Sequence, residues 1–138
     1  MVWLRRQIRA RGLPDGVATI ATDGGVGLHP VLEYRAQAVS PSDDGPAWTV
    51  VTTAGKDGLV PLWTCGTTTV FSAADGTFLR WDAAENEPWE TWPDFAGAVR
   101  HLLTDLWEDE ENDDARAEVA HLLLPGGGAA AALVPEER

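Results

Sequence analysis

The residues best suited to chemistry in this chain are carboxylates, and they are crowded. Glu85, Glu87, Glu90 and Asp94 surround Trp89, Trp92 and Phe95 in the eleven-residue stretch ENEPWETWPDF. Further on, Glu108, Asp109, Glu110 and Glu111 follow one another in EDEENDD. Thirteen acids lie between Asp82 and Glu118 against two arginines, Arg100 and Arg116, a local charge of −11 out of −12 for the whole chain. The remainder is near neutral, and its first eleven residues lean basic through Arg5, Arg6, Arg9 and Arg11. A field of this sign repels nucleic acid and anionic membrane and steers a basic partner toward itself.

Catalytic and metal-binding readings of the same residues fail on spacing. Glu85 and Glu87 are paired carboxylates, but glycoside chemistry needs a fixed separation across a substrate, and they fall in a stretch that reads as a loop. EDEENDDARAEVA lacks the central glycine of a calcium-binding loop. DGGVG at 23–27 lacks the G-x-G-x-x-G spacing of a nucleotide fingerprint and follows a helix rather than a strand. His29, His101 and His121 are scattered. His101 and Asp105 stand one helical turn apart, which permits a hydrogen bond, yet no nucleophile or metal ligand adjoins them in sequence. They read as ordinary surface or half-buried histidines. The lone Cys65 forms no internal disulfide and no metal framework, and reads as a buried or half-buried thiol in a reducing cytoplasm. The expectation is a protein without enzyme chemistry, cofactor or metal.

The elements that must position these residues follow from periodicity. A chain of 138 residues, 44% apolar and 23% charged, fits one domain with a real core, and its seven tryptophans must help to build it. No apolar run is long enough to span a membrane, and MVWLRRQIRARG has no signal-peptide core, so a cytoplasmic location is expected. Residues 3–11 read as a helix with Leu4 and Ile8 on one face, stopped by Gly12. A second short helix follows Leu13-Pro14, with Val17, Ile20 and Ala21 on one face, and ends at Asp23-Gly24-Gly25. Residues 28–39 alternate as a strand, with Leu32, Tyr34, Ala36 and Ala38 against Glu33, Arg35 and Gln37. SPSDDGP reads as a loop, Trp48 to Thr53 as a strand and AGKDG as a turn.

TTTVFSAADGTFLRWD, residues 67–82, is the clearest hairpin. A two-residue turn at Asp75-Gly76 would pair Ser72 with Leu79 and Val70 with Trp81, and a one-residue slip would exchange the faces. A helix is expected over 93–107, with Phe95, Val99, Leu102, Leu103 and Leu106 inward, Pro93 in its first turn and Trp92 outside it. Trp89, in a loop, is the aromatic that the core needs least, so it is expected to be partly exposed. EDEENDD reads as a solvated turn, after which Asp113 or Asp114 caps a last helix carrying Val119, Leu122 and Leu123. PGGG ends that helix. An extra strand, a docked turn and disorder all stay open for the final stretch. The domain organisation is a single domain over 1–124 with a Gly/Ala-rich tail over 125–138.

Three stretches in this order resemble the SUKH superfamily, the bacterial immunity proteins of polymorphic toxin systems together with the fungal Smi/Knr-type cell-wall regulators. They are Leu13-Pro14 with its short helix and Asp23-Gly24-Gly25; the segment VPLWTCGTTTVFSAADGTFLRWD; and PDFAGAVRHLL, in which Phe95 fits the first aromatic of the family's helix pattern. Asp23 stands where the family commonly has Asn, and the first helix is short and arginine-rich. The resemblance implies an α+β domain with a mixed or antiparallel sheet and helices packed at one side. It also implies binding rather than catalysis, through masking of a cognate toxin's active surface. Joined to the acidic segment, it makes the expected partner a basic, nuclease-type toxin, with no direct nucleic-acid or membrane contact. The expected contact residues are Asp82, Glu85, Glu87, Trp89, Glu90, Glu108, Asp109, Glu110 and Glu111. The alternative on the same fold is an intracellular adaptor or regulator of the Smi/Knr type that binds a host protein.

Overall fold

Leu4 and Ile8, one turn apart, are both fully buried, and this pair fixes the inner face of the first helix, α1 (Val2–Ala10). A computed structural model describes residues 2–39, 58–110 and 112–138. The expected loop at 40–46, the strand Trp48 to Thr53 and most of the AGKDG turn lie outside the described residues, as does Glu111. Helix α2 (Asp15–Asp23) buries Val17, Ala18, Ile20 and Ala21. It stops at Gly24, whose φ of +87° is a conformation that side chains disfavour. Gly25 has a different reason to be glycine. Its N–H donates to the Ala36 carbonyl at 2.6 Å, and a Cβ there would lie 2.4 Å from that oxygen and 2.5 Å from Leu32 Cβ.

The strand expected over 28–39 is not formed. Residues Gly25–Gly27 and Pro30–Leu32 make two 3₁₀ turns instead. His29 Nδ1 accepts from the Val31 N–H at 3.1 Å, and Pro30, lacking an N–H, suits the start of such a turn. Leu32 and Ala36 are buried four residues apart, the spacing of a helical turn, while Tyr34 is 76% exposed. The segment's ladder contact with the sheet is a bridge from Gln37 to Thr64.

The sheet is antiparallel, in the order β1 (Val60–Cys65), β2 (Thr68–Ser72), β3 (Phe78–Asp82), β4 (Glu87–Trp92). The central hairpin is slipped by one residue from the two-residue-turn register, pairing Ser72 with Phe78, Phe71 with Leu79, Val70 with Arg80 and Thr69 with Trp81. The loop holds three residues, Ala74-Asp75-Gly76, with Gly76 at φ +90°. Asp75 Oδ1 accepts from both the Thr77 N–H (3.0 Å) and its hydroxyl (2.6 Å). A turn followed by a left-handed glycine is the three-residue alternative to the two-residue turn. Val70 therefore shares a face with Phe78 and Arg80, and Phe71 shares one with Leu79 and Trp81.

The acidic stretch read as a loop supplies β4, an edge strand. Pro88 is tolerated there because an edge residue has no outer partner to donate to. Asp94 Oδ1 then accepts from the Gly97 N–H at 2.9 Å. This cap places Pro93 before helix α3 (Phe95–Glu110) rather than inside its first turn. Helix α3 covers the Val70/Phe78/Arg80 face: the Phe95 ring lies 5.6 Å from Phe78, and Trp92 lies 5.1 Å from His101. It continues through Glu108–Glu110, so these acids form its last turn and not a connecting turn.

Asn112, not Asp113 or Asp114, caps helix α4 (Asp113–Leu123), accepting from the Ala115 N–H at 3.3 Å. The two aspartates sit in the first turn, where the helix dipole favours negative charge. Val119 and Leu123 are buried, whereas Leu122 faces outward. The final segment docks: a short helix α5 (Ala129–Ala132) buries Ala129 and Ala132. Buried Arg116 ties the layers together, donating to the carbonyls of Leu103 and Leu133, both at 2.8 Å. The architecture is a single α+β domain with a four-stranded antiparallel sheet. Among the described residues no helix is long and apolar enough to cross a membrane.

Candidate functional site

Charged side chains from four parts of the chain meet where β3 and β4 face helix α3. The register sets Arg80 opposite Glu90, and the two form an ion pair. On α3, His101, Asp105 and Glu108 follow one line at i, i+4 and i+7. The His101 side chain is 8% exposed. Its Nδ1 hydrogen-bonds Glu136 Oε1 at 2.8 Å, and Glu90 Oε2 approaches to 2.9 Å outside hydrogen-bond alignment. Nε2 stands 3.6 Å from Asp105 Oδ2. Arg138 threads between them, donating to Asp105 at 2.8 Å and to Glu108 and Glu136 at 3.1 Å. Arg100 donates to the carbonyls of Val134 (2.6 Å) and Pro135 (2.8 Å), and the Thr104 hydroxyl accepts from the Glu136 N–H at 3.0 Å. The docking of the last residues on α3 is thus largely polar.

Electrostatics follow from this packing. Burial opposes ionisation of Glu90, but His101 and Arg80 outweigh it and hold its carboxyl below the ordinary glutamate range. Burial likewise opposes the charge of Arg138, and its bonds to Asp105 and Glu136 prevail, raising it. Asp109 is held below its usual range by a bidentate pair with Arg35, at 2.6 and 2.7 Å. Cys65 borders the same region, but its thiol is directed at the Tyr34 carbonyl, 3.5 Å away. Among the described residues no three His, Cys, Asp or Glu side chains are placed to hold a metal ion.

The structure sorts the expected contact residues into three kinds. Asp82 is 2% exposed. Its carboxylate accepts from the Thr67 hydroxyl (2.6 Å) and the N–H groups of Ala84 (3.3 Å) and Glu85 (3.2 Å), which holds it below the aspartate range and closes the β3–β4 turn. It is an internal cap and not a surface group. Glu90, Glu108 and Asp109 lean on arginines: Arg80, Arg138 and Arg35. Glu85, Glu87 and Glu110 are exposed. The hydrogen bond and charge of Glu85 raise the Glu87 carboxyl.

Trp89 lies in β4, not in a loop, and is 45% exposed, its ring 5.1 Å from the Arg80 guanidinium. The line along α3 joins Glu90, through His101 and Asp105, to Glu108, so acids of β4 and of the last turns of α3 border one surface. The residues that join them, Arg80, His101, Glu136 and Arg138, were not expected to act together. The His101–Asp105 spacing is the one signal in the sequence. No family model, curated protein or solved structure matches this chain.

Proposed function

We propose that this chain is a binding protein of the immunity type. It neutralises a cognate, contact-delivered toxin, most suitably a basic nuclease, by covering its active surface. The observation that supports this reading is a half-exposed indole on β4 beside exposed carboxylates. Trp89 is held against Arg80, while Glu87 at the start of the same strand and Glu85 in the turn before it stand exposed. Acids of this kind steer a cationic partner, and a rigid indole supplies the desolvated anchor typical of interface hot spots. The order of motifs that resembles the SUKH superfamily points the same way.

Co-expression with the product of the adjacent gene tests the reading. Relief of that product's toxicity, together with a complex of defined stoichiometry, supports it. A non-toxic product, or toxicity that persists, rejects it. Recovery from the native cell within a stable host complex would favour the adaptor reading instead.

A further inference from the structure

Two buried polar atoms, Arg80 Nε on β3 and His101 Nε2 on α3, have no protein hydrogen-bond partner among the described residues. Arg80 and His101 line a small, partly open cavity of about 20 Å³, bordered by Asp105, Arg35, Thr68 and Val70. That volume admits one water molecule and little more. Buried polar atoms of folded proteins nearly always have partners, so this convergence needs a ligand. His101 Nδ1 lies 2.8 Å from the Glu136 carboxylate, an acceptor, so Nδ1 carries a proton. Arg138 Nη2, 3.1 Å from the same nitrogen, is served by Glu136 and by the His101 carbonyl. Nε2 stands 3.6 Å from Asp105 Oδ2, beside the cavity that both residues line.

We infer that the cavity is a binding site for a single water molecule, which accepts from Arg80 Nε–H, hydrogen-bonds His101 Nε2 and donates to Asp105. The water completes a chain that runs from Trp89 through Arg80 to α3. Arg80 uses Nη2 for Glu90, its π-face for Trp89 and Nε for the water. The guanidinium is then held at Nη2, at Nε and on its face. Arg80 is a positioning residue for the exposed indole, and the water is what ties it to the core. This holds whatever the partner is.

A crystal structure of the full chain, at a resolution that shows ordered solvent, tests the site directly. The expected result is one water within about 3.2 Å of both Arg80 Nε and His101 Nε2 in every copy. Solvent ordered elsewhere but none here, or Arg80 Nε bonded straight to a protein acceptor, overturns it. Arg80→Lys tests the positioning role, because lysine keeps the charge beside Glu90 and lacks Nε. The indole N–H resonance of Trp89 should broaden or shift and lose order while that of Trp92 stays unchanged. A Trp89 as ordered as in the parent chain overturns the role.

Discussion

Trp89→Ala and Trp92→Ala, three residues apart on one strand, should separate an interface residue from a core residue. Trp92 is 7% exposed and packs on His101. Its truncation leaves a cavity and should cost about 3–5 kcal/mol. Trp89 is 45% exposed. Roughly half of a side-chain area of about 200–250 Å² is therefore covered, which at about 25 cal/mol per Å² bounds the loss near 3 kcal/mol. Extended-chain areas overstate burial, and an open site leaves no closed cavity, so about 1–2 kcal/mol is expected. The Arg80 stacking contact accounts for about 0.5–1 kcal/mol of that.

Urea unfolding with an unchanged slope measures both losses. At about 3–5 °C per kcal/mol for a chain of this length, melting should fall by about 9–25 °C for Trp92→Ala and by about 3–10 °C for Trp89→Ala. Binding should reverse the order. Trp89→Ala should weaken the partner complex by about 30-fold or more, as loss of a hot-spot residue does. Equal losses of stability in the two variants, or an affinity untouched by Trp89→Ala, would refute the reasoning.

Gly97→Ala normally strengthens a helix, but here the new Cβ would meet Trp92 Cβ at 2.8 Å and its ring at 3.1 Å. Chemical denaturation should therefore show a loss of stability in place of the usual gain of about 1 kcal/mol. Glu90 and Asp109 titrate below their ordinary ranges in the folded chain. Their contributions are present above the unfolded pKa values, about 4, and are lost as pH falls through the lowered ones, so Glu90→Gln should flatten the loss of stability below about pH 4. If the exposed acids steer association, the double change Glu85→Gln, Glu87→Gln should lower the on-rate and its dependence on salt. Stopped-flow binding at two ionic strengths checks this. Asp82→Asn should leave the salt dependence unchanged and cost stability instead, because that carboxylate is internal.

Helices were legible wherever an apolar stripe decided the outcome. Leu4 with Ile8, Val17 with Ile20 and Ala21, and Val99 with Leu102, Leu103 and Leu106 all point inward as their spacing requires. Elements failed to be legible where a single polar side chain decided. The carboxylate of Asp75 set the hairpin loop and so its register. His29 and Pro30 turned an alternating stretch into 3₁₀ turns. Asp94 and Asn112 moved two helix starts by a residue or two. Each is a local hydrogen bond worth about 1 kcal/mol, enough to choose between backbones that hydrophobic patterning leaves equal. The fourth strand was hidden differently, because glutamates, a proline and an exposed indole resemble a loop in composition while suiting an edge strand.

The acidic segment shows why a charge count cannot locate a surface. By sequence its carboxylates are equivalent. In the fold Asp82 closes a turn, Glu90 and Asp105 are held by arginines from another strand and from the last residue of the chain, and Asp109 grips Arg35. Each of these charges acts at hydrogen-bond distance, in geometry that salt screens poorly. Glu85, Glu87 and Glu110 project outward, and their field reaches only about a Debye length, near 8 Å at physiological ionic strength. Long-range attraction of a basic protein must come from this second set. The first set determines which way the second set and Trp89 face. His101, with its neighbours on β4, α3 and the final segment, is where the two roles join: removing it would take one shared partner from Glu90, Glu136 and Arg138 together, and would disturb the acidic surface without removing a single acid.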